Sequence, residues 1–327
     1  MVELTGTHDL AVADPAATRW VEPDLLGLRV DAAGRGLLAI DEPLLNLSGT
    51  LWGGAGLAAT LAFGECVLER PALWMTIQYV GPVRSGELLE LTVEPGRRGR
   101  GMSQAVIRGS VGDRLAVLAV GTFGGGGDGP LGDSAAAVAG VAGVAASDVD
   151  GDVDGDGDDA WRMVAPPAGI IFPDDTSASG SQRRGRAAAG GMLARVEQHW
   201  ALPSRGQPGQ RGPVEGVRDG HAAIWLRLRS GEPQPHTAAS LAVLADFAPI
   251  AATVTLGQPA HVASLDNSIR IARDLPTEPS DGWVLLETRV EAFVRGVTQL
   301  QARLFDSGGR LLATAGQSAA LRLPRQP

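Results

Sequence analysis

Two polar residues stand where the surrounding sequence is apolar. Asp246 lies inside the run "LAVLADFAPI", and Gln317 stands near the end of the last strand pattern, "GRLLATAGQS". A buried carboxylate without a partner is costly, so Asp246 is either paired or placed at a cavity. At a cavity it can take a proton from a reacting group, while an amide such as that of Gln317 can orient the reactants. The structural alternatives are a partnered Asp246 and a Gln317 that only satisfies a neighbouring strand.

Other catalytic patterns are missing from the sequence. It contains no Gly-x-Ser-x-Gly nucleophile elbow, no phosphate-binding P-loop and no dinucleotide fingerprint. His236 is expected near the start of the second helix in a capping or surface role, and the other four histidines lack metal-ligand spacing: His8, His199, His221 and His261. The sequence therefore offers none of these patterns for nucleophilic, nucleotide or metal chemistry.

The elements that would position these residues occur twice. The stretches "GMSQAVIRGSVGDRLAVLAVGTF" and "GVTQLQARLFDSGGRLLATAGQS" begin alike and, after one extra turn residue in the second, set Gln317 opposite Gly121. In each half an apolar helix precedes four long runs with strand character. The first helix is expected to start near Leu51 and the second to run unbroken to Gly257. This order predicts an α+β protein of two tandem domains, each an antiparallel sheet wrapped around a central helix.

A linker is predicted between the two domains, which span residues 25–127 and 162–323. Residues 128–161 are almost entirely small residues, Gly and Asp, and their nine Asp without a basic residue account for the whole net charge of −9. Such a segment lacks the large side chains that a core requires, so it is expected to be flexible.

Two polar segments each allow a specific binding function, but in both cases a solvated loop is the favoured interpretation. A calcium loop would use Asp150, Asp152, Asp154 and Gly155, but its twelfth position is Trp161 instead of Glu. Farther on, a polar stretch could meet phosphates, although a solvated loop is favoured; its basic residues are Arg183, Arg184 and Arg186.

The composition indicates a packed globular protein, with 44% hydrophobic and 20% charged residues. No apolar run is expected to reach the roughly 20 residues of a membrane helix, and the N-terminus lacks a signal-peptide pattern. The lone Cys66 rules out an internal disulfide, suits a cytoplasmic location and is expected to be a small core residue of the first helix. The absence of a basic face with interleaved aromatic residues argues against nucleic-acid binding.

Several quoted motifs carry a resemblance to a known family. In the first half they are "GTLWGGAGLAA", "YVGPVRSGE" and "RRGRGMSQA", and in the second "LADF", "ASLDNSIRI" and "GRLLATAGQS". Together with the element order, they make the chain similar to the double-hotdog acyl-CoA thioesterases, the family of bacterial thioesterase II. The resemblance covers roughly residues 25–125 and 194–323.

The resemblance implies an activity and a site. The activity is the hydrolysis of a fatty acyl-CoA to free acid and CoA by an activated water, with no metal and no redox cofactor. The family's Asp, Thr and Gln correspond here to Asp246, Ser264 and Gln317, with Ser in place of the usual Thr. The acyl tunnel is expected beside the central helices, lined by small and apolar residues around Gly53, Gly54 and Leu57.

One active site per chain is expected, in the second half. The first helix offers only Glu65 near its end, and Ala72 and Gly121 stand opposite Ser264 and Gln317. Asp266 is expected to be structural. The runner-up function is a non-catalytic acyl-CoA or acyl-carrier-protein binder with a vestigial site. The sequence leaves open whether double-hotdog units pair into a homo-oligomer.

Overall fold

The computed structural model describes residues 18–125, 164–173, 190–202, 220–230, 234–256 and 260–323. The predicted linker, the calcium pattern, and the polar stretch with Arg183, Arg184 and Arg186 lie outside these ranges. The predicted domain boundaries therefore stay predictions.

The described part of the N-terminal half consists of one long helix, a short 3₁₀ helix at Glu42–Leu44 and seven strands. Their bounds are β1 Arg19–Val21, β2 Leu28–Val30, β3 Gly36–Ala39, α1 Gly53–Leu68, β4 Ala72–Tyr79, β5 Leu88–Arg98, β6 Met102–Val111 and β7 Arg114–Gly124. The helix followed by four long antiparallel strands is the order that the sequence predicts.

The described part of the C-terminal half repeats this order with a divided central helix. Its elements are α2 Gly191–Arg195, β8 Val196–Trp200, β9 His221–Leu228, α3 Ala238–Ala245, α4 Ile250–Leu256, β10 His261–Ile271, β11 Val284–Val294, β12 Val297–Asp306 and β13 Leu311–Arg322.

All thirteen strands form one sheet, in the order β1-β2-β3-β5-β6-β7-β4-β10-β13-β12-β11-β9-β8. Strands β4 and β10 pair antiparallel at its centre, with Ile77 opposite Asn267 and Thr76 opposite Ser268. This pairing joins the two halves, so side chains from both reach the same central region.

Helix α1 is buried on almost all sides, as its Gly- and Ala-rich sequence predicts. Its Gly54 lies against α3, where a Cβ atom would come within 2.8 Å of the Ala242 carbonyl oxygen and 2.9 Å of the Val243 Cα. Glycine is therefore required for this close approach of the two helices.

The second central helix is not continuous, and the predicted unbroken helix to Gly257 is wrong. Helix α3 ends with Asp246 as its C-cap, and α4 begins only after Pro249. Proline lacks an N–H and disfavours helical backbone at the residue before it, which explains the break. Asp246 consequently lies at a helix end.

The same stretch bears on the membrane prediction. Ala238–Leu256 spans 19 residues and is long and apolar enough to cross a membrane by length and composition, contrary to the expectation from the sequence. However, 67% of it is buried inside the fold, and it is divided into two helices. The core helix of a globular domain meets the same criterion, so this is weak evidence for a span.

A β-bulge recurs in both halves and controls which side chains face the helices. In β10 the register shifts between Ser264 and Asp266, and in β4 it shifts between Ala72 and Trp74. Each bulge adds one residue to its strand. The side chains that follow the bulge therefore face the opposite side of the sheet from the one that strict alternation would give. In β10 this allows Ser264 and Asn267, three positions apart, to face the same inner side.

Candidate active site

Asp246 is the centre of a buried hydrogen-bond cluster. Its Oδ1 accepts from Ser264 Oγ at 3.2 Å, from Asn267 Nδ2 at 2.9 Å and from Gln317 Nε2 at 2.7 Å. Its Oδ2 accepts from the backbone N–H of Gly54 at 2.7 Å. The carboxylate is only 7% exposed, so four donors replace the water that it loses on folding.

The three residues carried over from the family resemblance come together in space. Besides meeting Asp246, Gln317 Nε2 donates to Ser264 Oγ at 2.7 Å, so both amide hydrogens of Gln317 are used. Gln317 lies on β13 and Ser264 on the adjacent β10, whereas Asp246 comes from the end of α3. The strand pair thus holds two neutral dipoles against one carboxylate.

Sequence reasoning missed Asn267. Strict strand alternation from Ser264 would point Asp266 inward and Asn267 outward. The bulge reverses this, so that Asn267 faces Asp246 while Asp266 Oδ1 accepts from the backbone N–H of Ser318 at 3.0 Å. The structural role expected for Asp266 agrees with that contact. No residue type in the sequence marks the neighbouring bulge, so the sequence alone gave no signal for the inward position of Asn267.

Burial dominates the electrostatics of Asp246. Loss of solvent raises the pKa of its carboxyl group above the ordinary value, and the bonds from Asn267, Gly54, Ser264 and Gln317 lower it only in part. The rings of Trp52 and Phe247, the sequence neighbours of Gly53 and Asp246, pack with their centroids 5.1 Å apart. A carboxylate with a raised pKa is a stronger base than an exposed one.

The N-terminus of α1 lies next to the Asp246 carboxylate. A Cβ atom on Gly53 would lie 2.9 Å from Asp246 Oδ2 and 3.2 Å from Ser264 Oγ. The partial positive charge of the helix N-terminus favours the ionised carboxylate. Gly53 therefore allows α1 to begin directly against the carboxylate, whereas Gly54 supplies a backbone donor and the close contact with α3.

A small cavity adjoins the cluster. Gln317 and Asn267 contribute its polar side, and apolar or small residues form the rest: Leu57, Ala245, Ala248, Leu300, Ala315 and Gly316, together with Ser268. Of the three residues predicted to line the acyl tunnel, only Leu57 lines this cavity. The side chain of Gln317 presents a buried Oε1 that has no hydrogen-bond partner among the described residues.

The corresponding place in the first half is apolar. Gly121 pairs with Met75 across β7 and β4, as Gln317 pairs with Asn267 across β13 and β10. Ala72 stands before the bulge of β4 where Ser264 stands before that of β10. A Cβ atom on Gly121 would lie 2.8 Å from Met75 Cε, so the methionine fills the space that polar groups occupy in the second half.

Glu65 lies elsewhere in the first half. Its Oε1 accepts from the backbone N–H of Ala72 at 2.7 Å, and burial, followed by repulsion from Glu22, raises its pKa. Cys66, next to it, is partly buried, and its Sγ accepts from Arg19 Nε at 3.1 Å. These contacts give both residues structural partners.

A comparison with known protein families gives a match for the C-terminal half of the chain. The profile of the acyl-CoA thioesterase C-terminal domain matches residues 173–321, which include all three carried-over residues. No curated protein matches the sequence at a significant level.

Solved structures extend the likeness to most of the chain. A protein from Novosphingobium aromaticivorans that is assigned as a thioesterase is 27% identical, with a TM-score of 0.64 over 88% of this chain and 96% of its own. Acyl-CoA thioesterase II TesB2 from Mycobacterium marinum is 16% identical, with a TM-score of 0.63 over 92% of this chain and 98% of its own. The latter likeness shows the fold, and the two-domain α+β architecture predicted from the sequence is confirmed. Residues 173–321 thus match the acyl-CoA thioesterase C-terminal domain, a domain of thioester hydrolases, and both halves share the double-hotdog fold of thioesterase II proteins.

Proposed function

We propose that the protein hydrolyses a fatty acyl-CoA at the Asp246 cluster by direct attack of water. The observation that carries this proposal is the convergence of Ser264, Asn267 and Gln317 on one oxygen of a buried carboxylate. This arrangement leaves the other oxygen with a single donor, the Gly54 N–H.

Asp246 Oδ2 is the proposed general base. A carboxylate oxygen has two principal acceptor sites, so Oδ1, with three donors, is saturated. Oδ2 has one donor, the Gly54 N–H, and can accept one more hydrogen bond. A water bound there would donate one hydrogen to Oδ2 and the other to Gln317 Oε1, the buried acceptor that lacks a partner among the described residues.

The chemical steps balance without an added reactant. The water oxygen bonds to the thioester carbonyl carbon as its proton moves to Asp246 Oδ2. The carbonyl oxygen gains negative charge, which the N-terminus of α1 would stabilise. When the intermediate collapses, the C–S bond breaks and the CoA sulfur recovers the proton from Asp246. The products are a free acid and CoA thiol.

The acyl chain is proposed to lie beside Gln317, where the cavity as it stands has room for about one water molecule and its walls must separate to admit the chain. Its walls consist mainly of alanine, glycine and leucine side chains, which suit an aliphatic chain more than a polar acyl group. Leu57 and Leu300 are the largest apolar residues that line it, so they would limit the depth available to the chain.

Release of free thiol from acyl-CoAs of graded chain length tests this function. We expect turnover by the purified protein and its loss in Asp246→Asn. The competing function is that of an acyl-CoA or acyl-carrier-protein binder. Tight binding of acyl-CoA by calorimetry without thiol release at any chain length would favour the binder and contradict hydrolysis.

A further inference from the structure

Asn267 connects the Asp246 carboxylate to the N-terminal half of the chain. Its Nδ2 donates to Asp246 Oδ1 at 2.9 Å and to Tyr79 OH at 3.0 Å. Both amide hydrogens are therefore used, and Asn267 is only 4% exposed. Its Nδ2 has no hydrogen left for a substrate, so Asn267 acts on Asp246 and not on the reacting atoms.

Tyr79 determines the orientation of that amide. Its hydroxyl donates its one hydrogen to the carbonyl oxygen of Gly53 at 2.5 Å, so toward Asn267 it can only accept. If the Asn267 amide were turned over, its oxygen would face two acceptors, the Tyr79 hydroxyl and the Asp246 carboxylate. Burial raises the pKa of Tyr79 well above its ordinary value, so the hydroxyl keeps its proton.

The strand pairing makes this connection rigid. Tyr79 lies on β4 and Asn267 on β10, and the two strands pair at the centre of the sheet, where Ile77 stands opposite Asn267. Four groups follow one another across the junction: Gly53 O, Tyr79 OH, Asn267 Nδ2 and Asp246 Oδ1. In the first half the position of Asn267 is taken by Met75, which cannot donate a hydrogen bond.

We propose that Asn267 is a positioning residue that holds Asp246 as the ionised base, and that Tyr79 of the N-terminal half fixes Asn267 for this role. The catalytic site is then incomplete without the first hotdog, although all of its catalytic residues lie in the second. This inference rests on the proposed function for its effect on turnover, but not for its effect on the carboxylate itself.

The pH dependence of kcat/KM is the first test. Asn267→Leu keeps a similar volume and removes one donor to the carboxylate, so the acidic limb should move upward by about one to two pH units. Tyr79→Phe should move it in the same direction by less. Because Tyr79 acts through Asn267, the double variant should match Asn267→Leu alone, and not show the sum of both effects.

A matched control lies on the same strand as Tyr79. Thr76 Oγ1 donates to the backbone carbonyl of Asn267 at 3.3 Å and makes no hydrogen bond to the side-chain amide of Asn267. Thr76→Val should therefore leave the acidic limb in place. An acidic limb that does not move in a folded Asn267→Leu variant, or additive shifts in the double variant, would overturn the proposal.

A measurement on the carboxyl group separates this inference from the proposed function. In protein with ¹³C-labelled aspartate, the signal absent from Asp246→Asn reports the Asp246 titration without substrate. We expect its pKa to rise in Asn267→Leu and in Tyr79→Phe. A raised pKa in both variants supports the positioning roles of Asn267 and Tyr79 even if the wild type releases no thiol. Thiol release by the wild type, together with an unchanged Asp246 pKa in the variants, contradicts these roles but not the proposed function. If Asn267→Leu does not fold, the proposal is tested with Tyr79→Phe, which removes only one oxygen atom. An unchanged Asp246 pKa in Tyr79→Phe then overturns the proposal.

Discussion

Gly53 lies so close to Asp246 that a Cβ atom on it would come within 2.9 Å of Oδ2. The first residue of α1 thus borders the oxygen that is proposed to take the proton of water. The absence of a side chain at residue 53 is part of the site, in the same way as the presence of the carboxylate at residue 246.

Gly53→Ala should reduce turnover more than stability. The added methyl group would lie 2.9 Å from Oδ2 and 3.2 Å from both Oδ1 and Ser264 Oγ, so the carboxylate and the hydroxyl would have to shift from their hydrogen-bonded positions. We expect kcat/KM to fall by at least about tenfold while the melting temperature changes little. Gly56→Ala is the control, because its Cβ would meet Tyr79 only at an ordinary contact of 3.4 Å. Equal turnover in both variants would contradict the assignment of Gly53.

Gly54→Ala should lower stability, and because its Cβ would also lie 2.8 Å from Asp246 Cβ, it should displace the carboxylate as well. Its Cβ would lie 2.8 Å from the Ala242 carbonyl oxygen and 2.9 Å from Val243 Cα, and backbone atoms cannot move aside cheaply. We expect a loss of about 1 to 3 kcal/mol in the free energy of unfolding, as for other overpacked cores. Denaturant unfolding measures this, and an unchanged midpoint would show that α1 and α3 separate more readily than their packing indicates.

Asp246→Asn should remove most of the activity, while Glu65→Gln should keep it. The first change removes the proposed base, for which general-base catalysis contributes on the order of 10² to 10⁴ in rate. The second keeps an amide oxygen that can accept from the Ala72 N–H, so its structural contact survives. Thiol-release assays on both variants compare the two halves directly. Loss of hydrolysis in Glu65→Gln with retention in Asp246→Asn would place the site in the first half.

Gln317→Ala should lower turnover by an amount typical of one oriented dipole, on the order of 10² to 10³. The change removes two donated bonds and the buried Oε1 proposed to receive a hydrogen from water. Gln301→Ala, on the neighbouring strand β12 with an exposed side chain, is the matched control and should be nearly silent. Similar turnover in the two variants would remove Gln317 from the mechanism.

The raised pKa of Asp246 predicts opposite effects of pH on activity and stability. Activity requires the ionised carboxylate, so kcat/KM should fall as pH drops through the folded-state pKa. The folded state binds the proton more tightly than the unfolded state, so the contribution of Asp246 to stability falls as pH rises from the unfolded to the folded pKa. Denaturant unfolding of wild type and Asp246→Asn across this range isolates that contribution. A stability difference that does not vary with pH would show that burial does not raise this pKa.

The sequence by itself determined the repeated order of helix and strands, because hydrophobic alternation and turn residues are local signals. It also singled out Asp246, since an acid in an apolar run must have partners or a cavity, and Gln317, since the other copy of the repeat has Gly121 there. Both inferences depend only on contrasts between neighbouring or repeated residues.

Only the tertiary structure decided which groups surround the carboxylate. The bulge at Leu265 turns Asn267 inward, and no residue type marks it. The pairing of β4 with β10 brings Tyr79 to Asn267 across 188 residues of sequence. The break before Pro249 sets Asp246 at a helix end against the N-terminus of α1, where Gly54 can donate to it. These relationships arise from strand register and helix packing between the two halves, and neither half encodes them alone.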